Sequence, residues 1–85
     1  MTATNDPAMR YVVALEAINQ EVARMTAERI QEEDKESPSP AILEYLKSRI
    51  SSLALLKQYL TRKDIAAIDA IISGSLISVK GTVNA

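Results

Sequence analysis

The 85-residue chain contains no cysteine, histidine, tryptophan or phenylalanine. Without cysteine there is no thiolate nucleophile, disulfide or thiolate metal ligand, and without histidine the usual general base near neutral pH is gone. Carboxylates remain as ligands for a hard cation or as acid–base groups. The only aromatics are Tyr11, Tyr45 and Tyr59, which at helical positions read as half-buried packing residues rather than a stacking platform. Neither sign of charge dominates: 10 basic against 11 acidic residues leave a formal charge of −1. No overall field therefore attracts nucleic acid or an anionic membrane. Long apolar runs are also missing. The stretch from Ile65 to Ile72 is interrupted by Asp69 and is far too short to span a bilayer, and the first residues lack the basic-then-apolar pattern of a leader. The expectation is a cytoplasmic protein with no membrane span.

What is present fits one domain. A chain of this length buries only about 60% of its unfolded surface, so its core is marginal unless another chain adds to it, and self-association is expected.

Local signals divide the chain into helices. Asp6-Pro7 is a helix start, with the carboxylate as cap and proline at the first helical position, where its missing N–H costs nothing. Tyr11, Leu15, Ile18, Val22 and Met25 then recur at alternating spacings of four and three, giving a helix over about 7–34. Beyond Met25 the stripe fades into charge. Ser37-Pro38-Ser39-Pro40 must interrupt the helix, because its prolines lack backbone donors and push the preceding residues out of helical geometry. Ser39 can cap and Pro40 open a second helix over about 40–60, with Leu43, Leu46, Ile50, Leu53, Leu56 and Leu60 inward. Ile42, Tyr45, Leu55 and Tyr59 widen that face beyond a simple seam.

Thr61-Arg62-Lys63-Asp64 has the form of a capping box with Asp for Glu, which starts a third helix over about 62–80 with Ile65, Ile68, Ile72, Leu76 and Val79 as its stripe. The other reading is one long, bent rod with helix two. Gly74 falls inside the third pattern, where glycine costs about 1 kcal/mol relative to alanine. It either bends the helix or admits a close neighbour. Gly81 is placed to end the helix. Leu15, Ile18, Val22, Leu46, Ile50, Leu53, Ile68 and Ile72 form the expected core.

Few residues point to chemistry. Glu28/Glu32 and Glu32/Glu36 share a face at i, i+4, but without histidine or carboxylates from other helices they read as solvated rather than metal-binding. Ser51, Ser52 and Ser73 have no base nearby in sequence. Glu28, Glu32, Glu33, Asp34 and Glu36 make the first helix acidic before the loop, while Lys47, Arg49, Lys57, Arg62 and Lys63 make the second helix and its following turn basic. These are either solvated surfaces that offset each other or complementary patches between copies. The five cations do not share one face, so nucleic-acid binding is not expected. The first helix, at about 42 Å, should outreach neighbours of about 30 Å. Its end either frays or packs on another chain.

The segment Leu60-Thr61-Arg62-Lys63-Asp64-Ile65-Ala66-Ala67-Ile68-Asp69-Ala70-Ile71-Ile72 resembles the C-terminal helix of type III secretion inner-rod subunits. Pro40, Leu43, Leu46, Ile50 and Ser51 are similar to the proline-led helix that precedes it in rod and needle subunits. The likeness covers about two fifths of the chain. It implies a small helical hairpin that polymerises into a secretion conduit. The interval from proline to the Leu-Thr-Arg-Lys turn is shorter here, and the chain runs on past Ile72, where those subunits end.

The sequence thus predicts an all-α, antiparallel bundle of two to three helices, oligomeric, binding protein partners without catalysis, cofactor or metal. Tyr45, Leu55, Tyr59, Arg62, Lys63 and Gly74 are the candidate interface.

Overall fold

The structure, a computed structural model, describes residues 6–75. Three helices account for most of them, and no strand occurs among the described residues. Helix α1 spans Pro7–Glu33 and opens as its first two residues dictate: Asp6 stays extended, and its Oδ1 accepts the Ala8 N–H at 3.0 Å. Helix α2 spans Pro40–Tyr59 and repeats the device, with Ser39 Oγ accepting the Ile42 N–H at 3.2 Å. In both, the side-chain oxygen satisfies a donor that has no partner in the first turn.

α2 stops at Leu60, whose ψ of 133° is extended. Helix α3, Ile65–Ser73, is much shorter than the 62–80 read from sequence. Its start differs because Thr61 does not cap it. The Asp64 carboxylate reaches back to the Thr61 N–H at 2.9 Å and the Thr61 hydroxyl at 3.3 Å, while Thr61 Oγ1 accepts from the Lys63 N–H at 3.3 Å. Half of a capping box forms, but it closes a turn, and the helix begins only after Asp64.

The end of α3 differs because Gly74, expected inside the helix, terminates it. Gly74 has φ 87°, the left-handed region, with its N–H on the Ile71 carbonyl at 3.0 Å and the Ser75 N–H on the Ala70 carbonyl at 2.8 Å. This is the Schellman pattern, which satisfies the last carbonyls and selects glycine because a Cβ is disfavoured at positive φ. Gly74→Ala should therefore destabilise by about 1 kcal/mol, the opposite sign from a glycine inside a helix. Chemical denaturation of the two proteins reads it, and an alanine variant as stable as the parent would refute the capping role. Leu76, Val79 and Gly81 lie outside the described residues.

The helices form a flat assembly measuring 50 × 28 × 19 Å. α2 and α3 pack one after the other along α1 and not on each other, so the bundle is a long helix backed by an interrupted return strand of helix. α1 does not overhang. α2 covers its C-terminal part, with Lys57 Nζ donating to Asn19 Oδ1 at 2.8 Å, and α3 covers its N-terminal part through the Arg10–Asp69 ion pair. At the break, the Tyr11 hydroxyl donates to the Leu60 carbonyl at 3.4 Å.

The core is Ala14, Ile18 and Met25 from α1, Leu46 and Leu53 from α2, Leu60, and Ile68 and Ile71 from α3. Of the expected core, Leu15, Val22, Ile50 and Ile72 are only partly buried, packed against its edge. The seam on α1 keeps Ile18 and Met25 and turns only slightly, so that Ala14 rather than Leu15 is enclosed. That alanine has no exposed surface.

Candidate interaction face

α2 presents a second face of its own. Ala41, Tyr45, Ser48, Ser52, Leu55 and Tyr59 are all exposed and follow one another at spacings of four and three, which aligns them along one side of the helix. No member is charged. The three large side chains are open to solvent by 48% at Tyr45, 56% at Leu55 and 71% at Tyr59. Tyr45 and Tyr59 are thus not the half-buried packing residues expected. Only Tyr11 is. Likewise, Leu55, Tyr45 and Tyr59 do not widen the core face of α2. Their row lies well round the helix from Leu46 and Leu53, because a separation of about 100° per residue carries the two rows apart.

Electrostatics frame this face. Beside Tyr45, Arg24 of α1 bridges Glu21 and Glu28. Its guanidinium is held above its ordinary pKa mainly by the Glu21 hydrogen bond, against the opposing cost of burial, with lesser help from the charges of Glu21 and Glu28 and from Tyr45. Most other charges are also neutralised locally: Arg29 pairs with Glu33 at 3.5 Å and Lys47 with Glu44 at 3.8 Å. At the two ends of α2 that stops. Asp34 and Glu36, before it, and Arg62 and Lys63, after it, are exposed and form no ion pair among the described residues.

Glu32 departs from the solvated reading. Its side chain is nearly enclosed, at 6% exposure, where Oε2 accepts the Ser39 N–H at 2.8 Å and Oε1 pairs with Lys35 Nζ at 2.8 Å. One carboxylate thereby clasps both sides of the proline loop and fixes where α2 begins. The Lys35 hydrogen bond first, then the Ser39 N–H, hold its pKa below the ordinary carboxylate value against the cost of burial. A depressed folded-state pKa contributes stability that is present above the unfolded value of about 4.3 and is lost as pH falls through the folded value. Denaturation midpoints should drop on acidification across that window. In Glu32→Gln that component of the pH dependence should be missing, and a variant tracking the parent at every pH would show that the clasp has no energetic role.

Of the candidate interface residues, the structure aligns Tyr45, Leu55 and Tyr59 on one face and sets Arg62 and Lys63 just beyond its C-terminal end. It does not bring Gly74 to them, since Gly74 ends α3, which does not pack on α2. Sequence reading missed Ser48 and Ser52, although the seven-residue period that joins Ser52 to Tyr45 and Tyr59, and Ser48 to Ala41 and Leu55, is visible in α2. α1 also exposes Met9, Val12 and Val13 near its start and, well apart from them, the single Ile30.

Two clefts accompany these surfaces. One of about 360 Å³ lies at the hairpin end among Arg29, Glu33, Leu43, Glu44 and Lys47. The other, about 150 Å³, lies among Pro7, Arg10, Ile65, Ile68 and Asp69. Neither lining offers a hydroxyl nucleophile. No group of acidic residues suited to a metal ion, and no helix long and apolar enough to cross a membrane, occurs among the described residues. Comparison with known protein families, with curated proteins and with solved structures finds nothing that matches this chain.

Proposed function

We propose that this chain is a non-catalytic protein–protein interaction module, a small helical binder or adaptor that works by packing the outer face of α2 against a protein partner. One observation carries the reading: an uncharged row with coiled-coil spacing, holding two tyrosines and a leucine, faces solvent along a flank of α2 outside the core. Exposed apolar surface of that regularity is the usual mark of an interface, and tyrosine is enriched in such anchors. Photo-crosslinking in the source cells tests it. A crosslinker at Tyr59 or Leu55 should yield covalent protein adducts that one at Lys47, on a charged side of α2, does not. No adduct from the row would sink the proposal.

The second reading, a polymerising structural subunit of a bacterial secretion apparatus, draws on the separate apolar cluster Met9, Val12 and Val13 of α1, distinct from the row on α2. Two different sticky faces on one chain permit open, head-to-tail assembly, whereas one self-complementary face closes into a dimer. Light scattering over a concentration series separates them: a mass that keeps growing supports the filament, and a plateau excludes it.

A further inference from the structure

The outer row of α2 has an internal order that says what covers it. Read from either end, its members pair by size when a second row runs the opposite way: Ala41 meets Tyr59, Tyr45 meets Leu55, and Ser48 meets Ser52. Each tyrosine gains a smaller facing group, and the serines let the two helices come close at the midpoint. Run in the same direction, two such rows would set tyrosine on tyrosine twice and alanine on alanine once, leaving gaps beside bulky layers.

Charge selects the same orientation independently. In the antiparallel arrangement Arg62 and Lys63, just past one end of α2, come beside the loop of the second copy that carries Asp34 and Glu36. By symmetry this happens at both ends. None of these four charges forms an ion pair among the described residues. In a parallel pair, acid would face acid and base would face base.

Building on the interaction-module reading, we propose that the partner on this face is a second copy of the chain, docked α2 to α2 in antiparallel, two-fold fashion, with the axis passing between Ser48 and Ser52. The interface is isologous, so it closes at two copies.

The test uses the full chain. Sedimentation equilibrium should give a dimer whose dissociation constant rises with salt, since the end contacts are attractive and exposed. Ser52→Glu sets two carboxylates near the axis and should weaken association by roughly tenfold or more. Ser52 is exposed in the single chain, so the helical circular dichroism should be unchanged. The absence of native cysteine makes disulfide mapping clean. A mixture of Ala41→Cys and Tyr59→Cys chains should form the mixed disulfide in preference to either homodisulfide. Because Tyr59→Cys removes an anchor, the sign of the salt dependence reports orientation separately: a parallel pair would tighten with salt. A monomer at hundreds of micromolar, a dimer tightened by salt, or a dimer indifferent to Ser52→Glu would each overturn the inference. If the chain stays monomeric but Tyr59 crosslinks a different protein in cells, self-docking fails while the module reading stands. If it is monomeric and crosslinks nothing, both fail.

Discussion

Leu53→Ala should cost about 2–5 kcal/mol of folding stability, the loss of a buried side chain plus the cavity it leaves. Leu53 sits in the middle of α2 at 3% exposure, within the core cluster that also holds Ala14, Ile18 and Met25 of α1. It is buried while the outer row is exposed, so the loss is one of folding rather than association. A domain of this size has only a few kcal/mol in hand, and the upper half of that range would leave much of the chain unfolded at room temperature. Urea denaturation of the parent and variant, taken at the same protein concentration so that any dimer contributes equally, gives the difference directly. A change below about half a kcal/mol would show that α2 does not dock through Leu53.

Ile71→Ala and Ile72→Ala should behave differently although the residues are neighbours. Ile71 is 1% exposed and is one of two α3 side chains that reach the core, so its truncation should cost about 2–5 kcal/mol. Ile72 is only partly buried at the edge, and its truncation should cost less than half as much. Losing Ile71 removes much of what holds a nine-residue helix that cannot persist alone in water. The α3 amides should therefore lose hydrogen-exchange protection before those of α1 and α2. Equal costs at the two positions would mean that α3 is rotated from the orientation described.

The pair also shows where sequence reading stops. The stripe Ile65, Ile68, Ile72 is a correct helical spacing, yet so is Ile68 with Ile71, and periodicity cannot choose between them. The choice is made by how α3 packs on α1, which encloses Ile68 and Ile71 and leaves Ile72 at the edge. Leu15 and Val22 lost the centre of the α1 seam to Ala14 for the same reason. An alanine gives little hydrophobic signal in sequence.

What the sequence by itself determined is local. The starts of α1 and α2 follow from Asp6-Pro7 and Ser39-Pro40, because caps act between residues two or three apart, whereas the choice between a break at Thr61–Asp64 and one bent rod was left to the structure. The missing cysteine and histidine narrowed the chemistry without any coordinates. Only the tertiary structure decided the rest, since it depends on which groups the chain brings together over distance. Glu32 looks like one more solvated carboxylate until the proline loop folds back onto it. Gly74 looks like a defect within a helix until Ser75 bonds to Ala70 and ends it. Tyr45, Leu55 and Tyr59 look like a widening of the core face until α1 takes the other flank of α2 and leaves them outside, in register with two serines.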